Sequence, residues 1–343
     1  MSPPIHLLDG GLGTTLADQH SCTFDTSTPL WSSHLLITDP DTLLAVQTAF
    51  VEAGADVLLS ATYQVSFEGF ALTRTKTEGD GEGISEERAA GLMRSAVGIA
   101  RGALEGGGRG EWNGRGKGRV ALSLGAYGAT MIPSQEYSGK YDGERMSVSG
   151  LKEWHLKRLR AFAPSSEAGA GAARSYSLDE EERRKCWENV DLVAFETLPL
   201  LHEITAVRQV MYELEAEGAS KRDFWISCVF PGEEMGLPDG SSVENVVRTM
   251  LEKREGESVP MGVGINCTKV GKLEGLVMEF EGVMSEMVRK GEAEWPVLVV
   301  YPDGTDGEVY DTVTKEWVKS AEGSKNEVSL ILQILISVAR TKD

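Results

Sequence analysis

Short apolar runs rich in Val, Ile and Leu recur along the chain, each closed by polar or glycine residues and followed by a helical pattern. The clearest are IHLLDG (5–10), ADVLLSATYQ (55–64), RVALSLGAYG (119–128) and VDLVAFET (190–197); FWISCVF (224–230), PMGVGINCT (260–268) and WPVLVVYPD (295–303) continue the series. They do not alternate cleanly between apolar and polar positions. That is the pattern of strands covered on both faces, as in a parallel sheet flanked by helices. Helix boundaries stand between the runs. Asp39 before Pro40 predicts an N-cap with proline at the first helical position, Leu43, Val46, Phe50 and Ala53 share one stripe, and Gly54 ends the helix. Residues 201–217 repeat the logic, with Ile204, Val207, Met211 and Leu214 on one side and Gly218 at the end. Residues 242–253 give a third helix, with Val243, Val246, Val247 and Met250 as its apolar face.

Seven strand-like runs alternating with helices predict a (β/α)8 TIM barrel, which 343 residues accommodate as one domain, 1–343, with insertions. No G-x-G-x-x-G stands between a strand and a helix with an acidic residue after it, and GGLG at 10–13 is too short, so a dinucleotide-binding sheet is disfavoured. Residues 73–83, 105–118 and 164–177 are dominated by Gly, Ser and charge and read as surface insertions. The composition, 41% hydrophobic and 25% charged, is that of a globular protein. Lys plus Arg number 34 against 53 for Asp plus Glu, a formal charge of −19, which disfavours nucleic acid and anionic membrane surfaces as partners. Four scattered cysteines, at 22, 186, 228 and 267, fit a reducing compartment rather than a disulfide framework. The N-terminus shows no secretory pattern, and the longest apolar stretch, 328–339, falls short of a membrane span. A cytoplasmic location is expected.

In a parallel barrel the chemistry sits at the C-terminal ends of the strands. Asp9 ends the first run, Thr62 and Gln64 the second, Tyr127 follows the third, Glu196 ends the fourth, and Asn266 with Cys267 end the sixth. An acid directly after several apolar residues, as in VAFET, is costly to bury without a cation or hydrogen-bond donors. Asp9 and Glu196 converge on one mouth if the barrel closes, and their natural guest is a cation such as an ammonium group. Taken singly, a strand-end carboxylate is ordinarily a helix cap or surface ion pair, and a cysteine on an apolar strand, such as Cys228, is ordinarily core. The histidines at 6, 20, 34, 155 and 202 show no ligand spacing. Only Glu196 and Cys267 stand above these ordinary readings.

Taken together, DGGLGTTL (9–16), LW (30–31), AGADVLLSATYQVSFEGF (53–70), SLGAYGA (123–129), EYSGKY (136–141), DLVAFETLPLLHE (191–203), GVGINCT (262–268) and VVYPDGTDGEVYD (299–311) resemble the homocysteine S-methyltransferase family. Order and spacing agree from residue 5 to about 317, and SLGAYGA followed by EYSGKY is most similar to the branch using S-methylmethionine or S-adenosylmethionine. The resemblance implies a (β/α)8 barrel with one catalytic Zn2+, which would bind homocysteine as its thiolate for in-line attack on the methyl carbon of a sulfonium donor, giving methionine. It also implies that Asp9 and Glu196 hold the homocysteine ammonium, with Gly10, Gly11 and Thr62 near its carboxylate. By the same resemblance, Asn266 would orient groups beside the metal, Cys267 would be a zinc ligand, and Tyr127, Glu136 and Tyr137 would line the donor side.

The tail departs from that pattern. The family ends its eighth strand in Gly-Gly-Cys-Cys-Arg-Thr, whose cysteines supply the other two zinc ligands. Here residues 318–343 hold no cysteine, and an atypical or absent eighth strand is expected. Cys228 would substitute only by pointing inward. The alternative to the enzyme is a zinc-free, impaired relative that binds the amino acid without turnover.

Overall fold

A computed structural model describes residues 5–25, 28–74, 83–107, 117–165, 176–303, 308–311 and 316–319. Its order is α1 (Leu12–His20), α2 (Leu35–Thr38), α3 (Pro40–Ala53), β1 (Val57–Leu59), α4 (Phe67–Leu72), α5 (Glu86–Gly106) and β2 (Arg119–Gly125). There follow α6 (Val148–Leu159), α7 (Tyr176–Glu188), β3 (Leu192–Leu198), α8 (Leu201–Ala216), β4 (Asp223–Cys228), α9 (Val243–Leu251), β5 (Gly262–Lys269) and α10 (Val270–Arg289). The strands β6 (Val297–Asp303), β7 (Glu308–Asp311) and β8 (Glu316–Lys319) close the order. Strands β1 to β6 form one curled parallel sheet in sequential order, with at least one helix between each successive pair. It is a half-barrel of six strands, and β7 and β8 pair separately as an antiparallel hairpin.

The local signals act as their chemistry requires. Asp39 accepts from the Thr42 N–H at 3.1 Å, Pro40 opens α3, and Gly54, at φ 116°, ends it in a conformation that favours glycine. Ser242 caps α9, and Gly218, also at positive φ, follows α8. The first predicted strand is corrected. Residues 5–10 lie along β1 but make only one bridge, Leu8 to Val57, because the Asp56 carboxylate takes the Leu7 N–H at 2.8 Å while the Leu7 carbonyl accepts from both Asp56 and Val57. The expected insertions fall largely at 75–82, 108–116 and 166–175, outside the described residues, as does everything after residue 319.

Strand alternation sorts the side chains. Phe224, Ile226 and Cys228 face outward into the main core with the helices, whereas Val57, Ala121, Leu192, Ala194, Trp225 and Val299 make a small inner cluster. The inner face ends in polar residues at the C-terminal side: Ser123 on β2, Glu196 on β3, Ser227 on β4, Asn266 on β5 and Tyr301 on β6. Close approach of β5 and β6 depends on Gly264, where an added Cβ would lie 2.2 Å from the Val299 carbonyl oxygen. Gly264→Ala is expected to destabilise the fold by about 3 kcal/mol, because the ladder itself must part. Urea unfolding of the variant checks this, and an unchanged midpoint would contradict it.

Candidate active site

Asp9, Glu196, Asn266 and Cys267 come together at the C-terminal mouth of the sheet. Asp9 follows the bridge to β1, and its Oδ2 accepts from the Leu59 N–H at 2.8 Å. Its Oδ1 is buried without a hydrogen-bond partner. Burial pushes the Asp9 carboxyl well above the usual carboxylate range; the Leu59 N–H works against this, and the nearby Glu196 charge adds to it. Glu196 is buried at the end of β3, accepting from Ser123 Oγ and from the Tyr301 hydroxyl. Burial pushes it up to about 7 although both hydroxyls favour the charged form. Tyr301 is oriented by Ser227 Oγ at 2.6 Å and by the Trp225 indole N–H at 3.4 Å. Among the described residues neither acid has a cationic side chain within ion-pair distance.

Gly10 and Gly11 follow Asp9 and lead into α1. Gly11 is the N-cap residue, with no side chain over the first turn, and a Cβ on Gly10 would lie 2.8 Å from the Phe50 ring. The N-terminus of α1 therefore stands open beside the acids, where backbone N–H groups favour an anion. Thr62 is turned into the protein. Its hydroxyl donates to the Ser123 carbonyl at 2.7 Å and accepts from Ser60 Oγ at 2.6 Å, and Ser60 Oγ accepts in turn from the Ser123 N–H.

On the other side of Glu196 the backbone is strained. Strands β3 and β5 both shift register near their ends, and Thr197 (φ 62°) and Cys267 (φ 46°) take left-handed conformations that non-glycine residues rarely adopt. Asn266 ties the two together. Its Oδ1 accepts from the Thr197 N–H at 2.9 Å, and its Nδ2 donates to Thr197 Oγ1 at 2.6 Å and to Cys267 Sγ at 3.3 Å. The sulfur also faces Thr197 Oγ1 at 3.9 Å and the Tyr137 hydroxyl. Burial pushes the Cys267 thiol up to about 11, with the Tyr137 and Thr197 hydroxyls pulling the other way and the Glu196 and Asp303 charges adding to the rise. Removing the clamp in Asn266→Ala is expected to destabilise the protein by about 2–3 kcal/mol, as three hydrogen bonds, two of them buried, over two strained residues go together. A thermal melt measures it; a wild-type melting temperature would show that the strain is held elsewhere.

The donor-side candidates separate. Glu136 and Tyr137 sit in the loop after β2. Glu136 is buried, accepts from Ser134 Oγ, and is raised by that burial; the Tyr137 hydroxyl meets Cys267. Tyr127 instead turns to α6, its ring edge-on to Tyr141 and Trp154 at 5.2 Å, with its hydroxyl 3.3 Å from Asp142. Sequence reasoning missed Ser123, Thr197 and Tyr301. Their signal was parity, since Ser123 and Tyr301 lie on the inner face with Glu196 and Asn266, and Thr197 directly follows the acid.

A sequence model described as Homocysteine S-methyltransferase matches residues 6–336. The chain belongs to the homocysteine S-methyltransferase family. It is 32% identical to Homocysteine S-methyltransferase 2 of Arabidopsis thaliana over 95% of this chain and 84% of that protein. The Selenocysteine Se-methyltransferase of Brassica oleracea var. italica is also 32% identical, over 95% of this chain and 80% of its own. Homocysteine S-methyltransferase YbgG of Bacillus subtilis (strain 168) is 30% identical over 92% and 81%. In three dimensions the chain is similar to the metallated form of the homocysteine methyltransferase MmuM from Escherichia coli, with a TM-score of 0.62 and 25% identity over 88% of this chain and 92% of that one.

Family membership implies a zinc site, and the donor set here does not fit one. Catalytic zinc takes three protein ligands and leaves a fourth position for substrate. Around Cys267 stand an amide N–H and two hydroxyls, which donate to sulfur rather than offer lone pairs as a thiolate set does. Cys228 faces outward with Phe224 and Ile226, fully buried in the helix-side core, so it does not reach the mouth. Among the described residues no three His, Cys, Asp or Glu gather into a metal-binding group, and the whole sequence holds no adjacent cysteines.

Proposed function

We propose that the chain binds homocysteine at this mouth and transfers to it the methyl group of a sulfonium donor, S-methylmethionine or S-adenosylmethionine, giving methionine. The observation that carries the reading is the pair of buried carboxylates, Asp9 and Glu196, with one Asp9 oxygen left without a partner. A buried acid pair without a cation of its own suits an ammonium group, which replaces mutual repulsion with charge-assisted hydrogen bonds. The amino acid's carboxylate then falls to Gly10, Gly11 and the open α1 N-terminus, with Thr62 shaping the floor. The side chain extends toward Asn266 and Cys267. Glu136 and Tyr137 flank the donor, whose positive sulfur the acidic mouth favours.

Transfer is a direct displacement. Homocysteine sulfur forms a bond to the methyl carbon as the donor's carbon–sulfur bond breaks, the electron pair leaves on a neutral thioether, and the thiol proton is lost to water. The chain contributes alignment and exclusion of water. We take the chain to be a single (β/α)8 domain, of which the six parallel strands form the described part. A cytoplasmic setting agrees with the four unpaired cysteines, and no described helix is long and apolar enough to cross a membrane.

A second reading is favoured by the donor set at Cys267: a relative that binds homocysteine without turning it over. Incubation with homocysteine and each sulfonium, with and without added zinc, separates the two. Methionine formation above the protein-free rate is expected. Saturable homocysteine binding without methionine under every condition would leave the binding protein.

A further inference from the structure

Glu203 lies in the first turn of α8, fully buried and away from the acids of the mouth. Its Oε1 accepts from the Tyr127 N–H at 2.8 Å and from His155 Nε2 at 2.9 Å, and its Oε2 accepts from the Tyr141 hydroxyl at 2.6 Å. Burial opposes its charge, yet the bonds from His155, Tyr141 and the Tyr127 N–H more than offset this and hold the carboxyl below the usual glutamate range. Behind it stands Arg158 of α6, its guanidinium 4.4 Å from the Trp154 ring. Its Nη2 donates to the Gly125 carbonyl at 2.7 Å and to His155 Nδ1 at 3.1 Å. Arginine only donates, so His155 accepts at Nδ1 and carries its proton on Nε2, toward Glu203.

The placement of these bonds gives them a function. Tyr127 opens the loop after β2 and Tyr141 ends it, so one carboxylate holds both ends, while Arg158 fixes Gly125 just ahead of it. The loop is folded on itself by Gln135 N–H to the Gly128 carbonyl and Gly139 N–H to the Gln135 carbonyl, both at 2.8 Å. It is seated by Tyr141 packed with Leu151, Leu200 and Ala206. Its middle carries Glu136 and Tyr137, and Tyr137 is the loop residue that reaches Cys267.

We propose that Glu203, supported by His155 and Arg158, is a positioning residue that clasps this loop and thereby sets the binding of the sulfonium donor, without acting on homocysteine. The proposal rests on the reading that Glu136 and Tyr137 flank the donor. Asp9 and Glu196 are carried by different elements, so releasing the clasp leaves the amino-acid side in place.

Calorimetric titration of the full-length protein with S-methylmethionine and, separately, with homocysteine tests it. Tyr141→Phe removes one end of the clasp while leaving Glu203 its bonds from His155 and the Tyr127 N–H. It is expected to weaken S-methylmethionine roughly tenfold while homocysteine stays within about twofold. Glu203→Gln keeps the shape and is expected to weaken the sulfonium further, with the same asymmetry. Equal weakening of both ligands, or unchanged sulfonium binding in a Tyr141→Phe protein that melts cooperatively, would overturn the clasp alone. Failure of the wild type to bind S-methylmethionine would overturn the donor-side reading and this proposal with it.

Discussion

Elemental analysis of the purified protein is expected to find well under one zinc per chain, and a variant ending in the family's Gly-Gly-Cys-Cys-Arg-Thr to bring the content close to one. Zinc takes sulfur as thiolate, and metal affinity at neutral pH depends on how readily each ligand gives up its proton. Burial pushes the Cys267 thiol up to about 11, which works against the thiolate that a metal needs. Two further thiolates would share the charge of the metal and offset this; one cysteine ringed by hydrogen-bond donors does not. The appended tail returns the two sulfurs this chain lacks. A zinc content near one in the unmodified protein, lost in Cys267→Ala, would mean that a second chain or another set of residues completes the site. A grafted variant that stays empty would show that the missing ligands are not what limits binding.

The fold was most legible where its causes are local. Asp39, Pro40 and Gly54 mark α3 because capping and backbone conformation act within a few residues. The first run was misread as a full strand because what interrupts its pairing is the Asp56 side chain, 49 residues from Leu7. The site divides in the same way. Asp9, Glu196, Asn266 and Cys267 could be found from the ends of apolar runs, since a parallel sheet gathers those ends on one side. Glu203 could not. It sits on a helix in an ordinary amphipathic pattern, and its partners Tyr127, Tyr141 and His155 are 76, 62 and 48 residues away. The outward face of Cys228 was readable only by counting alternation from Phe224 and Ile226, which requires the strand's register to be known. A barrel with an atypical or absent eighth strand was expected; the described residues hold six strands in the sheet and a separate hairpin, because residues 308–311 pair with 316–319.

Glu196→Gln is expected to weaken homocysteine binding by about 10- to 100-fold at pH 8 and, at the same pH, to make the ligand-free protein more stable. Both effects follow from one carboxylate held up to about 7 by burial. In the free protein the folded state keeps the proton that the unfolded chain has already lost. Stability therefore falls as pH rises from the ordinary glutamate range to about 7, and is flat above it. The amide removes that loss, worth a few kcal/mol at pH 8, and also relieves the repulsion on Asp9. The Ser123 and Tyr301 hydroxyls can rotate to serve it. The ammonium needs the charged form, so wild-type affinity rises with pH up to about 7 and then levels until the amino group itself begins to lose its proton. The variant's affinity lacks that rise. Thermal melts and homocysteine titrations of both proteins between pH 5 and 8 measure the pair of effects. A variant that binds as tightly as wild type removes Glu196 from the ammonium site. One that loses affinity and also melts lower at pH 8 shows that the acid is a structural hydrogen-bond acceptor instead of a charge kept, at a cost in stability, for a cationic ligand.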